Sequence, residues 1–584
     1  MGAAAAALAP LEMAWAQPAA ESETDRRFQA LGKHWLDEGL RLAPVAATSI
    51  GEHRWDHEVG DYTAAGRAAR LKLSKDTLAG LEAIDRSKLS RANQVDAAML
   101  ENQVRGDIWQ AETLKDYSWD PLGWSGLAGG ALNSLFARDF APLPDRLRAA
   151  TSRMEKLPAV FAAAREVLVP ARVPEIHAKT VANQNKGLHS LIDGLVAEAD
   201  KLPAADAARL RAAAANLKAK VDEHQAWLDG TLVPNAKGDF RIGAALFDAK
   251  LRYALNSTLT RQEISDRAKA LMTSTRAEMY GLARQVLAGK PNPPAMPATP
   301  TAEQQQAVIE AALEYAYVDQ PPRELLETGK AMLKQCTDFV RAKDLVRVPD
   351  EPVKVIEVPE FQRGVAVAYC DSPGPLDKGQ DTFYMISPIP ADWTAEQSNS
   401  FLREYNNRSM QELTIHEAMP GHYLQLAHSN AYPSTLRAVL GSGSFVEGWA
   451  CYAQDVMADN GYMGGEPLYK LVHLKWVLRM AANAILDPAI HVDGMTREQA
   501  MELMVKGAFQ QEREAAGKWV RAQLSSAQLP TYFVGWAEHW DTRRAVKAKW
   551  GASFTERKYH DQLLSYGSPS GRFVRQLMLN EPIA

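Results

Sequence analysis

The chain has 584 residues, 46% apolar and 23% charged, with a formal net charge of −5. That length exceeds one ordinary core, so it implies two to four domains or one large helical assembly of a globular protein. Mild acidity without a sustained basic run argues against a nucleic-acid partner, and three scattered cysteines, Cys336, Cys370 and Cys451, form neither a disulfide framework nor a CxxC metal knuckle.

Residues 1–20, "MGAAAAALAPLEMAWAQPAA", are small and apolar and carry an A-x-A step at Ala14–Ala16. They fit the tail of a secretory signal whose basic start is missing, or a disordered leader. The first reading makes the protein exported and periplasmic, the second cytoplasmic. Nothing later reaches the ~18–20 consecutive apolar residues of a membrane span.

From 21 to about 340 the chain reads as successive amphipathic helices. "RFQALGKHWLDEGLRLAP" and "PAADAARLRAAAANLKAKVDEHQAWLDG" show apolar positions three and four apart and stop at Pro or Gly. The stretch 287–305, "LAGKPNPPAMPATPTAEQQ", is a Pro-rich loop between two helical blocks. No fixed-period repeat appears. Between 350 and 390 the texture changes: "PVKVIEVPE", "RGVAVAYCDSP" and "DTFYMISPIP" are short β-branched and aromatic runs bounded by Pro, Gly and Asp, which predicts strands. Helical periodicity then returns to the C-terminus.

Directly after the predicted sheet comes "MQELTIHEAMPGHYLQLAHSN", 410–430. A catalytic zinc takes three protein ligands and one open position, and a nearby carboxylate takes the water proton. His416, His422 and, on a second helical segment "SFVEGWACYAQDVM", Glu447 supply the ligands; Glu417 is the base. The spacing is unusual. At ~100° per residue, positions six apart diverge by about 120° on a regular helix, whereas positions four apart diverge by about 40°. Pro420 breaks the ladder and Gly421 tolerates unusual backbone angles, so a bulge or broken turn is predicted to bring His422 back to the His416 face. His428 is predicted to face solvent or cap the helix. A sheet beside the metal helix suits a peptide laid along an edge strand.

At these residues the chain resembles a bacterial family known as domain of unknown function 885, grouped with the Glu-zincin metallopeptidases. The resemblance rests on "HEAMPGHYLQ" (416–425), "SFVEGWACYA" (444–453), "DTFYMISP" (381–388), "LDPAIHVDGMTREQA" (486–500), "YHDQLLSYGS" (559–568) and "PVAATSIGEHRWDHEVGDYT" (44–63). It implies a mainly α, large helical zincin-like peptidase fold with a small β-sheet beside the metal-site helix and a long cleft. Residues 21–584 would form one such domain, a helical part 21–345 and a sheet-plus-metal part 346–584. The resemblance assigns His416, His422 and Glu447 as zinc ligands and Glu417 as general base. Two departures stand out: Gln454 replaces a second acid after the EGWA segment, and "PTYFVGWAEHW" replaces the family's Pro-Gly-Gln-Ala run, which loosens the equivalence of Tyr532.

The expected function is zinc-dependent hydrolysis of peptide bonds in short peptides; the alternative is an inactive peptide-binding protein with the same cleft. Tyr532 and His491 are candidates for stabilising the oxyanion. Arg521 and Arg479 are candidates for gripping a substrate carboxylate, Tyr384, on the predicted edge strand, for lining the cleft or for the sheet core, and Asp455 and Asp56 for caps or ion pairs. A serine hydrolase is disfavoured because "GSGSF" at 441–445 misses the elbow pattern, and a dinucleotide site because the third Gly is absent. The partner is a peptide; oligomeric state and endo- or exo-cleavage are not legible.

Overall fold

The two amphipathic segments fold as helices Glu23–Leu42 and Ala204–Trp227 in the computed structural model, which describes residues 22–358 and 367–583. Ser22 caps the first, its hydroxyl accepting from the Asp25 N–H at 2.9 Å. The Pro-rich stretch connects helix Arg261–Leu287 to helix Ala302–Tyr317, which opens on a Thr301–Gln304 capping box. The leader, 1–20, lies outside the described residues, as does 363–366 of the second predicted strand. No helix among the described residues is long and apolar enough to cross a membrane.

Among the described residues the molecule is mainly helical with one three-stranded sheet: β1 (Lys354–Glu357), β2 (Ala368–Asp371) and β3 (Phe383–Ile386). β3 is central, parallel to β1 with Val355 opposite Tyr384, and antiparallel to β2 with Cys370 opposite Tyr384. Tyr384, Met385 and Ile386 are all buried, as expected of a strand covered on both faces.

Six helices follow that position the site: α1 (Asn407–Glu417), α2 (His422–Asn430), α3 (Gly443–Asp459), α4 (Pro467–His491), α5 (Glu512–Leu524) and α6 (Pro530–Trp550). α4 is buried along most of its length and shares a core with the earlier helices, Leu471, Leu478 and Ile485 packing with Phe247, Leu251 and Met279. α3 and α6 cross at a pair of glycines. A Cβ on Gly448 would lie 2.2 Å from the Gly535 carbonyl carbon, and one on Gly535 only 1.7 Å from the Ser444 oxygen. The "EGWA" and "VGWA" glycines thus allow the close approach that fixes Glu447 against the start of α6.

The 44–63 motif grips the loop after β2. Gly51 (φ +88°) leaves room for the Asp377 backbone, Leu376 N–H donates to Ile50 O at 2.9 Å, and His53 bridges Asp377 (3.0 Å) and Asp56 (3.1 Å) while stacking on Phe140. Burial disfavours a charged His53 ring, but the two carboxylates outweigh it and raise its pKa from 6.5 to about 9. A group raised on folding contributes fully below pH 6.5 and loses that contribution as pH climbs through about 9. Chemical denaturation of the wild type is therefore expected to show stability falling by on the order of 1–2 kcal/mol across that window. An H53Q variant should be less stable at pH 6 and show a flatter profile; parallel profiles would contradict this role.

Candidate metal centre

The helix predicted to bulge is two helices. α1 ends at Glu417, Ala418 (φ −123°, ψ −78°) and Gly421 (φ −74°, ψ −129°) leave helical geometry, and α2 starts at His422. The Met419–Pro420 bond is cis. The break folds back on the last turn of α1: Gly421 N–H donates to Ile415 O at 2.9 Å, and a Cβ at 421 would lie 1.9 Å from the His416 oxygen. The Pro420 carbonyl accepts from the Trp449 indole on α3 at 2.8 Å, and Trp449 is 1% exposed. These contacts hold the two imidazole rings 4.7 Å apart, centre to centre.

Glu447, one turn into α3, completes the set. Ligand-capable atoms of His416, His422 and Glu447 all lie within 4.8 Å of one another. Glu447 Oε2 is 3.6 Å from His416 Nε2 and 3.4 Å from His422 Nε2. Zinc bonds of ~2.0–2.1 Å in a tetrahedron give ligand–ligand edges of about 3.3 Å, so two imidazoles and a carboxylate at these separations fit that ion. Burial opposes ionisation of Glu447, but hydrogen bonds to both imidazoles hold its carboxyl well below the usual range.

Behind the three candidate ligands runs a polar relay. His416 Nδ1 faces Gln454 Oε1 at 3.4 Å, and Gln454 Nε2 donates to Glu412 Oε2 at 3.0 Å. Glu412 also meets His473 Nδ1 (3.2 Å), whose Nε2 pairs with Asp455 (3.1 Å). Asp455 accepts from the Trp536 and Trp540 indoles, both at 2.6 Å. The residue replacing the expected acid is therefore an amide spacer, and the carboxyl group behind it belongs to Glu412, one turn before His416 on α1. Such partners orient a ligand imidazole. Burial opposes a charged His473, but Glu412 and Asp455 outweigh it and raise its pKa to about 10.

Glu417 points toward the sheet edge. Cys370 N–H of β2 donates to its Oε2 at 3.1 Å. Burial and then the Glu447 charge raise its pKa to about 7, against the opposing pull of His416 and the Cys370 amide. A carboxyl tuned to that range suits proton transfer near neutrality.

His416 and Glu417 form part of the wall of a cleft of about 1080 Å³, bounded also by the β2 start at Val367–Ala368 and by residues of α4, α5 and α6. Tyr532 lies on that wall, its ring 6.4 Å from His416, and burial followed by the Glu447 charge raises its phenol to about 12, keeping it a proton donor. Arg521 reaches Tyr532 Oη at 3.5 Å, and Arg479 lines the cleft while paired with Glu514. Asp56 and Asp455 are in ion pairs, with His53 and His473. His428 Nε2 bonds the Arg347 carbonyl, away from the ligand set.

Two candidates are corrected. His491 is 2% exposed, with Nε2 on the Ala522 and Ser525 carbonyls (2.9 and 2.8 Å) and Nδ1 on Phe240 O (3.2 Å). It does not line the cleft; it pins the turn between α5 and α6. Tyr384 is 0% exposed in the central strand, its hydroxyl 3.1 Å from Thr414 Oγ1, and belongs to the sheet–α1 core. Residues missed from sequence are Glu412, His473, Trp449 and the Cys370 amide. Of these only Trp449 had a signal, its place in the "EGWA" motif.

Fold and site define a mainly helical protein whose broken helix and neighbouring α3 gather two histidines and a glutamate beside a large cleft. The chain belongs to the family described as "Bacterial protein of unknown function (DUF885)", which matches residues 44–578. It is similar to a solved structure from Shewanella oneidensis, a lipoprotein candidate of unknown function. The two are 32% identical with a TM-score of 0.81, covering 94% of this chain and 99% of that one. A lipoprotein candidate from Colwellia psychrerythraea shares the fold at 16% identity, TM-score 0.75, over 96% and 100% of the two chains. No curated protein matches the chain.

Proposed function

We propose that this protein is a zinc-dependent hydrolase of peptide bonds, an exported relative of the helical zincin peptidases acting on short peptides. The observation that carries it is the convergence of His416, His422 and Glu447 beside a carboxylate, Glu417, that faces the cleft. Export is supported by the lipoprotein character suggested for both similar structures.

His416, His422 and Glu447 would hold the ion. When bound, zinc supplies Lewis acidity, which lowers the pKa of water to about 7 and polarises a carbonyl. Glu417, with Oε2 held by the Cys370 amide, leaves its other oxygen to take the water proton and pass it to the departing amine. The Tyr532 phenol donates to the oxyanion as charge develops on the carbonyl oxygen. The relay through Gln454 to Glu412 fixes the His416 ring so that Nε2 faces Glu447. The outer strand β2 gives an extended peptide a backbone edge to pair with. An intact base facing the cleft speaks against the inactive peptide-binding alternative.

The test is a mixed-peptide digest read by mass spectrometry, with chelated protein and the same protein resupplied with zinc. Cleavage should vanish on chelation and return with zinc; equal cleavage by metal-free protein overturns the proposal.

A further inference from the structure

The cleft wall built by α4 and α5 carries more positive charge than its acids neutralise. Glu404 accepts from Lys475 at 2.8 Å and Glu514 pairs with Arg479. Among the described residues those pairs leave three cleft-lining cations of α5 without a carboxylate at ion-pair distance: Arg513, which lies over the Trp393 ring, Lys518 and Arg521. Lys518 lines the cleft at 6% exposure, and among the described residues its Nζ bonds a neutral amide, Asn483 Oδ1, at 2.9 Å. Arg521, three residues on and so on the same helical face, reaches among the described residues only Gln528 (3.2 Å) and the Tyr532 hydroxyl. Arg479 Nη1 is buried with no hydrogen-bond partner among the described residues, its nearest Glu404 oxygen 3.9 Å away.

An unpaired buried ammonium is costly. Burial first, and then the Arg479 cation, push Lys518 well below its ordinary range. An anionic group seated between Lys518 and Arg521 would relieve that cost and give the idle Arg479 donor an acceptor. A carboxylate matches in size and in its two acceptor oxygens. The place is also right. Arg521 touches Tyr532, whose ring stands 6.4 Å from His416, so the pocket lies within a few residues of extended chain, at ~3.3–3.6 Å each, of the candidate metal centre.

We propose that Lys518, Arg521 and Arg479 form a subsite for the free C-terminal carboxylate of a short peptide. Cleavage would then release a short C-terminal fragment, and this last step rests on the peptidase reading above. The carboxylate subsite itself does not.

The experiment is calorimetric binding of an N-acetylated tetra-alanine with one peptide bond reduced to a methylene amine, compared with its C-terminal amide. A third probe is an amidated analogue carrying an internal Glu. The free acid should bind wild-type protein about 30-fold tighter or more than the amide, and K518M should lose that preference while R521Q weakens it. Circular dichroism confirms that both variants fold, and the wild-type comparison stands without them. Equal affinity for acid and amide in the wild type overturns the subsite, as does an unchanged preference in folded K518M. Tight binding of the internal-Glu amide assigns the pocket to acidic side chains and overturns the C-terminal assignment. Retained acid preference in a protein that hydrolyses no peptide upholds the subsite and overturns the peptidase reading alone.

Discussion

Replacing Glu417 by Gln is expected to lower kcat for peptide hydrolysis by about 10²–10⁴-fold while zinc content stays at the wild-type level. The amide is nearly isosteric, and its oxygen still accepts from the Cys370 N–H that now holds Oε2. It cannot accept a proton from water. Glu417 also stands outside the ligand set, whose atoms come from His416, His422 and Glu447. Turnover and metal content should therefore separate in this variant. A Glu417→Gln protein that keeps wild-type turnover with full zinc would remove Glu417 from the chemistry. One that loses zinc together with turnover would show the residue to be a ligand instead.

The second large effect is expected from Gly421→Ala. A methyl at this position falls 1.9 Å from the His416 oxygen and 2.3 Å from the Ile415 oxygen, both backbone atoms of the last turn of α1. Neither can swing aside as a side chain would, so the break must open. The cost is on the order of 1–3 kcal/mol of stability. His422 is the next residue, and misplacing a ligand by an ångström should cost about 10²-fold in activity. Gly441→Ala is the matched control, because its added methyl meets only Ser568 Cβ at an ordinary 3.7 Å. Thermal melts and zinc content of the two variants should diverge. Equal behaviour would mean that the tight turn is not what brings the histidines together.

Much of this was legible in the sequence, for identifiable reasons. Pro420 and Gly421 mark a helix break because one lacks a donor and the other lacks a Cβ. The three strands were visible as β-branched and aromatic runs between breakers. What stayed hidden depends on packing across long sequence separations. Nothing local tells that Tyr384 lies on a strand covered on both faces, nor that His491 spends one ring nitrogen on the distant α5–α6 turn and the other on the Phe240 carbonyl. The substitution at Gln454 looked like a lost charge. A carboxyl group does stand behind it: Glu412, 42 residues away, accepts from Gln454 in a hydrogen bond that spacing cannot reveal. Lys518 reads as an ordinary helical lysine until α4 brings Asn483 to it and the nearby acids prove to be occupied.

The most direct measurement is titration of zinc into the metal-free full chain, followed by calorimetry for the wild type and for His416→Ala, His422→Ala and Glu447→Ala. One saturable equivalent should bind the wild type, and each variant should bind far more weakly. No stoichiometric binding by the wild type, or binding that survives all three substitutions undiminished, would contradict a metal centre at these residues.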